Sequence, residues 1–90
     1  MVDEKFGAQM DVLQLATVLV DAFDGAIRIL SDAQRFGLRL RQLHLESLPD
    51  ERSEMKLELL VPSGSDADLL KTRFERHGAV VSVERTYRKD

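Results

Sequence analysis

Along this 90-residue chain the apolar positions repeat with two different periods, and the switches between them mark the elements. Residues 10–20 read Met-Asp-Val-Leu-Gln-Leu-Ala-Thr-Val-Leu-Val and become apolar on both faces. That pattern predicts a strand central in a sheet. Leu13, Ala16 and Val20 would also fit a helical stripe, but the β-branched residues Thr17, Val18 and Val20 disfavour helix. Residues 21–25 form the first predicted turn, centred on Asp24-Gly25. A carboxylate just ahead of a helix accepts hydrogen bonds from the first amides, and Gly25 permits either a close backbone approach or an unusual angle. Ala26, Ile29, Leu30, Ala33 and Phe36 then recur as one helical stripe that ends at Gly37, a predicted left-handed C′ residue. Arg28, Asp32 and Arg35 fall outside that stripe and are expected on the solvated surface.

Period two returns over residues 38–48, where Leu38 and Leu40 alternate with arginines and the alternation resumes out of phase at Leu43 and Leu45. A phase slip inside a strand is what a β-bulge produces, and the charged partners predict an edge strand. After the polar loop 49–53, Met55, Leu57, Leu59 and Val61 alternate cleanly with Lys56, Glu58 and Leu60. Pro62-Ser63-Gly64 breaks this strand. Ser65 is the expected N-cap of a second helix, with Ala67, Leu69, Leu70 and Phe74 as its apolar positions and His77-Gly78 as its end. A last strand covers residues 79–88. The order β-α-β-β-α-β predicts an α+β, ferredoxin-like sandwich: a four-stranded antiparallel sheet with two helices on one face.

Composition narrows the options. Hydrophobic residues are 43% and charged residues 32%, as in a globular domain, and ninety residues suffice for one modest core. There is no cysteine, which excludes disulfides and thiolate metal sites. The formal net charge of −3 argues against a general nucleic-acid binder. No apolar run approaches the roughly 20 residues of a membrane span, and the acidic start Met1-Val2-Asp3-Glu4-Lys5 is unlike a signal peptide. A cytoplasmic location, with no membrane and no cofactor, is the resulting expectation. His44 and His77 lack a partner histidine at ligand spacing, so no metal site is expected.

Several occupations of this fold are tested by their residues. RNA recognition needs aromatics and basic groups on the central strands, where this chain has Leu15, Thr17, Lys56 and Glu58. A metallochaperone needs cysteines in the first loop, and an acylphosphatase-like site needs an arginine there; Asp21-Ala22-Phe23-Asp24-Gly25 offers neither. What remains resembles the ACT domain, the small regulatory module of amino-acid metabolism, over about residues 12 to 87. The resemblance rests on Thr17-Val18-Leu19-Val20, Gly25-Ala26-Ile27, and Phe36-Gly37-Leu38 leading into Leu40 and Leu43. Within that family Gly25-Ala26-Ile27, Arg35-Phe36-Gly37 and Leu40-Arg41-Gln42-Leu43 are similar to the small regulatory subunit of acetolactate synthase. The chain departs from the family at Ala22, Asp24 and Arg39, where an Asp or Asn, a Pro, and an effector-binding Asn are usual.

Mixed charge without a sustained period predicts a loose tail over residues 1–9, and the resemblance implies a single ACT-like domain over 10–90. It implies a non-catalytic regulatory module that acts by subunit association: a homodimer joined through the edge of the second strand, with a larger catalytic subunit and a branched-chain amino-acid effector as partners. The implied effector site lies between the first loop of one subunit and the second strand of its neighbour. The amides of Gly25, Ala26 and Ile27 would receive a carboxylate, Asp21 or Asp24 an ammonium, Leu40 and Leu43 would line an apolar wall, and Arg39 stands at the position of the effector-binding Asn. Two alternatives stay open: a small ferredoxin-like enzyme, or a purely structural dimerisation module.

Overall fold

The computed structural model describes residues 10–89. It contains strand β1 (Met10–Leu19), helix α1 (Ala22–Arg35), strands β2 (Arg39–Ser47) and β3 (Ser53–Pro62), helix α2 (Ala67–Glu75) and strand β4 (Val80–Lys89). The strands form one antiparallel sheet in the order β2-β3-β1-β4, with both helices on one face, as the alternation of periods predicts. The tail expected over residues 1–9 lies outside the described residues.

β1 and β3 form the centre of the sheet, and their pairing sets Leu13 opposite Leu59, Leu15 opposite Leu57 and Thr17 opposite Met55. All of these are buried beneath the helices. Ile29 and Ala33 from α1, Ala67 and Phe74 from α2, and Val83 from β4 complete the core. Thr17 tolerates full burial because its hydroxyl donates to the Met55 carbonyl at 2.9 Å.

The helix boundaries correct the sequence reading. α1 begins at Ala22, not after Gly25, because Asp21 is the N-cap: its Oδ1 accepts from the Asp24 amide at 2.9 Å. Asp24-Gly25 is therefore the first turn of the helix and not a loop. α2 is capped by Asp66, which accepts from the Leu69 amide at 3.0 Å, while the expected cap Ser65 turns back to the Pro62 carbonyl. At the other end of α1, Gly37 has φ +78°. The Leu38 amide donates to the Ala33 carbonyl and the Gly37 amide to the Gln34 carbonyl, the paired bonds of a Schellman motif.

β2 is the exposed edge. Its register against β3 shifts between Leu40 and Gln42, which is the bulge that the phase slip predicts. Leu40 lies opposite Leu59, Leu43 opposite Leu57 and Leu45 opposite Met55, so the bulge returns all three leucines to the helix-facing side. The β2-β3 connection covers residues 48–52; the Leu48 amide donates to the Arg52 carbonyl, which closes a tight turn in which Glu51 takes φ +72°.

Candidate functional site

The N-terminus of α1 was the expected ligand site, and its chemistry is largely internal. The Gly25 amide donates to the Asp21 carbonyl at 2.9 Å. The amides of Ala26 and Ile27 lie one further step inside the helix, where each bonds the preceding turn. None of the three is free for a carboxylate. The amides without an intrahelical partner in this turn are those of Ala22 and Phe23. Asp24 pairs with Arg28 through Oδ1 and Nε at 2.9 Å, one turn on. Asp21 is occupied as the cap.

Gly25 has a different reason to be there. A Cβ at this position would lie 2.8 Å from Leu19 Cδ2 and 3.0 Å from Leu19 Cδ1. The missing side chain lets α1 settle on the end of β1, so of the two roles open to Gly25 the structure selects close approach. Around this junction Val20, Phe23 and Ile27 are exposed, Phe23 by 83%. The spacing of Phe23 and Ile27 puts them on one face of α1. They lie off the buried face of Gly25, Ile29 and Ala33, and their position relative to the N-cap was the signal in the sequence for an exposed apolar face.

Arg39, Leu40 and Leu43 are all exposed on β2, but they do not meet the α1 N-terminus within one chain. Leu40 is level with Leu59 and hence with Leu13, whereas the N-terminus of α1 follows Leu19. Six residues of strand separate the two levels, or about 20 Å. The end of β2 that is level with Leu19 is Ser47, through Ser53.

Two other polar groupings were not anticipated. On the open face of the sheet Glu58 accepts from Gln14 Nε2 at 2.8 Å, with Arg41 at 3.4 Å and Arg88 at 3.8 Å. Behind the helices, Asp32 is buried, where a solvated position was expected. Its Oδ2 is 2.6 Å from His77 Nε2 just beyond α2, and its Oδ1 accepts from Arg35. The carboxylate thus ties the two helix ends together. Asp32 lies three residues after Ile29 and next to Ala33, inside the arc of the buried stripe. A polar residue within an apolar arc is the signal that the sequence offers for this buried position.

At the far end of β1 the Tyr87 hydroxyl donates to Asp11 Oδ2 at 2.5 Å and Ser63 Oγ donates to Oδ1 at 3.2 Å. The neighbouring carboxylate holds the Tyr87 phenol above its ordinary pKa, chiefly through this hydrogen bond and secondarily through burial. In the β2-β3 loop Arg52 hydrogen-bonds Asp50 and lowers its pKa. Asp68 receives Arg85 through Nε and Nη2 at 2.9 and 2.7 Å, which folds part of the basic C-terminal segment back onto α2. Among the described residues no group of three or more His, Asp or Glu could hold a metal ion. No described helix is long and apolar enough to cross a membrane.

No protein-family model and no curated protein matches the chain. Solved structures do. The C-terminal domain of the MgtC protein from Mycobacterium tuberculosis superposes with a TM-score of 0.72 at 14% identity, over 90% of each chain. The ACT domain of GTP pyrophosphokinase from Chlorobium tepidum gives 0.69 at 18% identity, over 86% of this chain and 99% of that one. The chain has the fold of an ACT domain. The ACT-like fold also matches LarC2, the C-terminal domain of a cyclometallase involved in synthesis of the NPN cofactor of lactate racemase, at 0.58 and 17% identity. That match covers 89% of this chain and 56% of LarC2. At these identities the likeness is one of fold, and function has to be argued from the surface.

Proposed function

We propose that this chain is a non-catalytic ACT-like regulatory module that self-associates through β2 and partners a larger metabolic enzyme. The more specific reading is a regulatory small subunit of acetolactate synthase, supported by the similarity at Gly25-Ala26-Ile27, Arg35-Phe36-Gly37 and Leu40-Arg41-Gln42-Leu43. The observation that carries the proposal is β2 itself. All nine of its residues are exposed, no strand among the described residues lies on its outer edge, and Leu40, Leu43 and Leu45 are 43–50% exposed in one row. Edge strands of this kind are templates for pairing with another chain.

The charges on β2 favour a second copy in antiparallel pairing. Arg39 and Arg41 stand at its start and Glu46 at its end, with Glu51 beyond and Asp50 paired to Arg52. A two-fold pairing brings the basic end of one strand to the acidic end of the other, whereas parallel pairing opposes like charges. The same pairing brings the partner's Arg39 and the partner's Leu40 to the Ser47 end of this β2. That is the sheet end that carries the α1 N-terminus. The two halves of the effector site, offset by about 20 Å along the strands in one chain, then come to the same level between two. In this reading the amides of Ala22 and Phe23 replace those of Gly25, Ala26 and Ile27 as carboxylate donors, and Phe23 adds an apolar wall.

The engagement of Asp21 and Asp24 within the helix leaves little to receive an ammonium, which favours assembly over sensing. Sedimentation velocity at tens of micromolar tests the first half of the proposal: the chain runs as a dimer, and Leu43→Lys runs as a monomer. A wild-type monomer under these conditions removes it. Thermal-shift titration with valine, leucine and isoleucine tests sensing, and the response in rate of an acetolactate synthase catalytic subunit on mixing tests the specific partner.

A further inference from the structure

A cleft lies beside Asp32, where the C-terminal ends of the two helices meet. It has a volume of about 580 Å³ and is lined by Asp32, Arg35, Phe36, Arg73, Arg76 and His77. Two of its guanidiniums flank one ring: Arg35 lies 5.9 Å and Arg73 5.6 Å from the centroid of Phe36. Phe36 in turn packs on the buried Phe74 at 6.3 Å. The ring is anchored in the core, so both cations are held against a fixed surface. Asp32 lines the cleft with a nearly buried side chain, and both of its oxygens are occupied, by Arg35 and His77. Among the described residues neither Arg73 nor Arg76 meets a carboxylate.

The charge count decides what the cleft can hold. Three guanidiniums face one carboxylate, which leaves two positive charges unmatched even with His77 neutral. The helix ends that meet here each contribute about half a negative charge, and the α1 end is already closed by its Schellman bonds. An excess of positive charge remains, in a chain whose overall charge is −3. Like charges gathered on a fixed ring repel one another and are relieved by a shared anion. Guanidinium forks match the oxygens of a phosphate group, and a phosphomonoester at neutral pH carries about −1.5 to −2 charge. A monocarboxylate offers two oxygens, whereas a phosphate group presents enough to engage more than one guanidinium fork at once.

We propose that the cleft formed by Arg35, Arg73, Arg76 and His77 binds a small molecule through a phosphate dianion, free or as a monoester. The site lies at the C-terminal end of α1, apart from the N-terminal effector site, so either can fail without the other. The test is an NMR titration of the ¹⁵N-labelled full chain with inorganic phosphate and with glycerol 3-phosphate, at constant ionic strength held with sodium chloride. The wild type, Arg73→Gln and Arg76→Gln are compared, with spectral dispersion showing that each variant folds. The expected result is a saturable shift at residues 35, 36, 73, 76 and 77 with at least one ligand, weakened about tenfold in each variant. The ligand that saturates the site identifies its source. Shifts that chloride reproduces, that do not saturate, or that persist unchanged in both variants overturn the assignment.

Discussion

Replacing Gly25 by Ala separates two effects of opposite sign. Gly25 sits in the first turn of α1 with no positive φ, so alanine fits the backbone. Helix propensity alone would then make the variant more stable by about 1 kcal/mol. The new methyl, however, would stand 2.8 and 3.0 Å from the two Cδ atoms of Leu19 and 3.2 Å from its Cγ. Carbon contacts are favourable near 3.5–4.0 Å. Leu19 is fully buried, so it cannot rotate into solvent to make room. Overpacking of this kind costs about 1–3 kcal/mol, which gives a net loss of about 0–2 kcal/mol. Urea unfolding followed by circular dichroism, at one protein concentration, measures it. The sharper test is the same substitution on a Leu19→Ala background. That background itself loses about 2–5 kcal/mol, but it removes the obstructing atoms. There Gly25→Ala should stabilise by up to about 1 kcal/mol, a reversal of sign. A stabilising effect in the wild type, or a coupling within about 0.5 kcal/mol of zero, refutes the close-approach account of this glycine.

Other outcomes follow from particular contacts. Glu51→Gly should stabilise the chain by about 0.5–1 kcal/mol in the same unfolding assay, because the left-handed conformation burdens a non-glycine residue more than glycine's extra entropy does. Asp32→Ala should destabilise by about 1.5–3 kcal/mol, since it strips Arg35 and His77 of their shared acceptor at the junction of the two helices. Tyr87 is the chain's single tyrosine, so its phenolate absorbance titrates one group, and that titration should lie above the ordinary value of 10.0. The unfolded chain loses this proton first as pH rises. The stability it contributes is therefore intact below pH 10 and declines as pH climbs toward the folded value, a slope that Tyr87→Phe should lack.

The fold was legible because its signals are local and mutually consistent. Alternation in β3, both-face apolarity in β1 and the Gly37 terminus each specify one element, and their order leaves one economical topology. The bulge in β2 was readable for the same reason, since a register slip must show as a change of phase. The caps were less legible. Asp21 and Asp24 are both good N-cap residues, as are Ser65 and Asp66, and sequence alone does not say which aspartate or serine has the extended backbone a cap needs. The Asp32-His77 contact joins residues 45 positions apart, and no local period reports it. The separation of Arg39 and Leu40 from the α1 N-terminus depends on strand direction across three strands, which becomes visible only with the register.

That separation, together with the row of leucines, limits how strong the proposed dimer can be. Fully burying a leucine side chain is worth about 1.5–3 kcal/mol, so covering three that are already half-covered yields about 2–4 kcal/mol per chain and about 4–8 for a symmetric pair. Association itself costs about 4–15 kcal/mol in lost freedom. The leucines cover the smaller figure and fall well short of the larger one. The surplus has to come from the β2 edge, where the unpaired amides and carbonyls of two strands join one ladder at roughly 0.5–1.5 kcal/mol per bond. A dimer built this way is held by directional backbone bonds more than by apolar area. Its register is then set by the strand, and a side chain at the edge can alter affinity without altering the core. An anion bridging the Ala22 and Phe23 amides of one chain to the partner's Arg39 would add to the same small surplus. In an assembly so closely balanced, even a weakly held effector shifts the fraction paired, and binding to a larger enzyme can draw on the same margin.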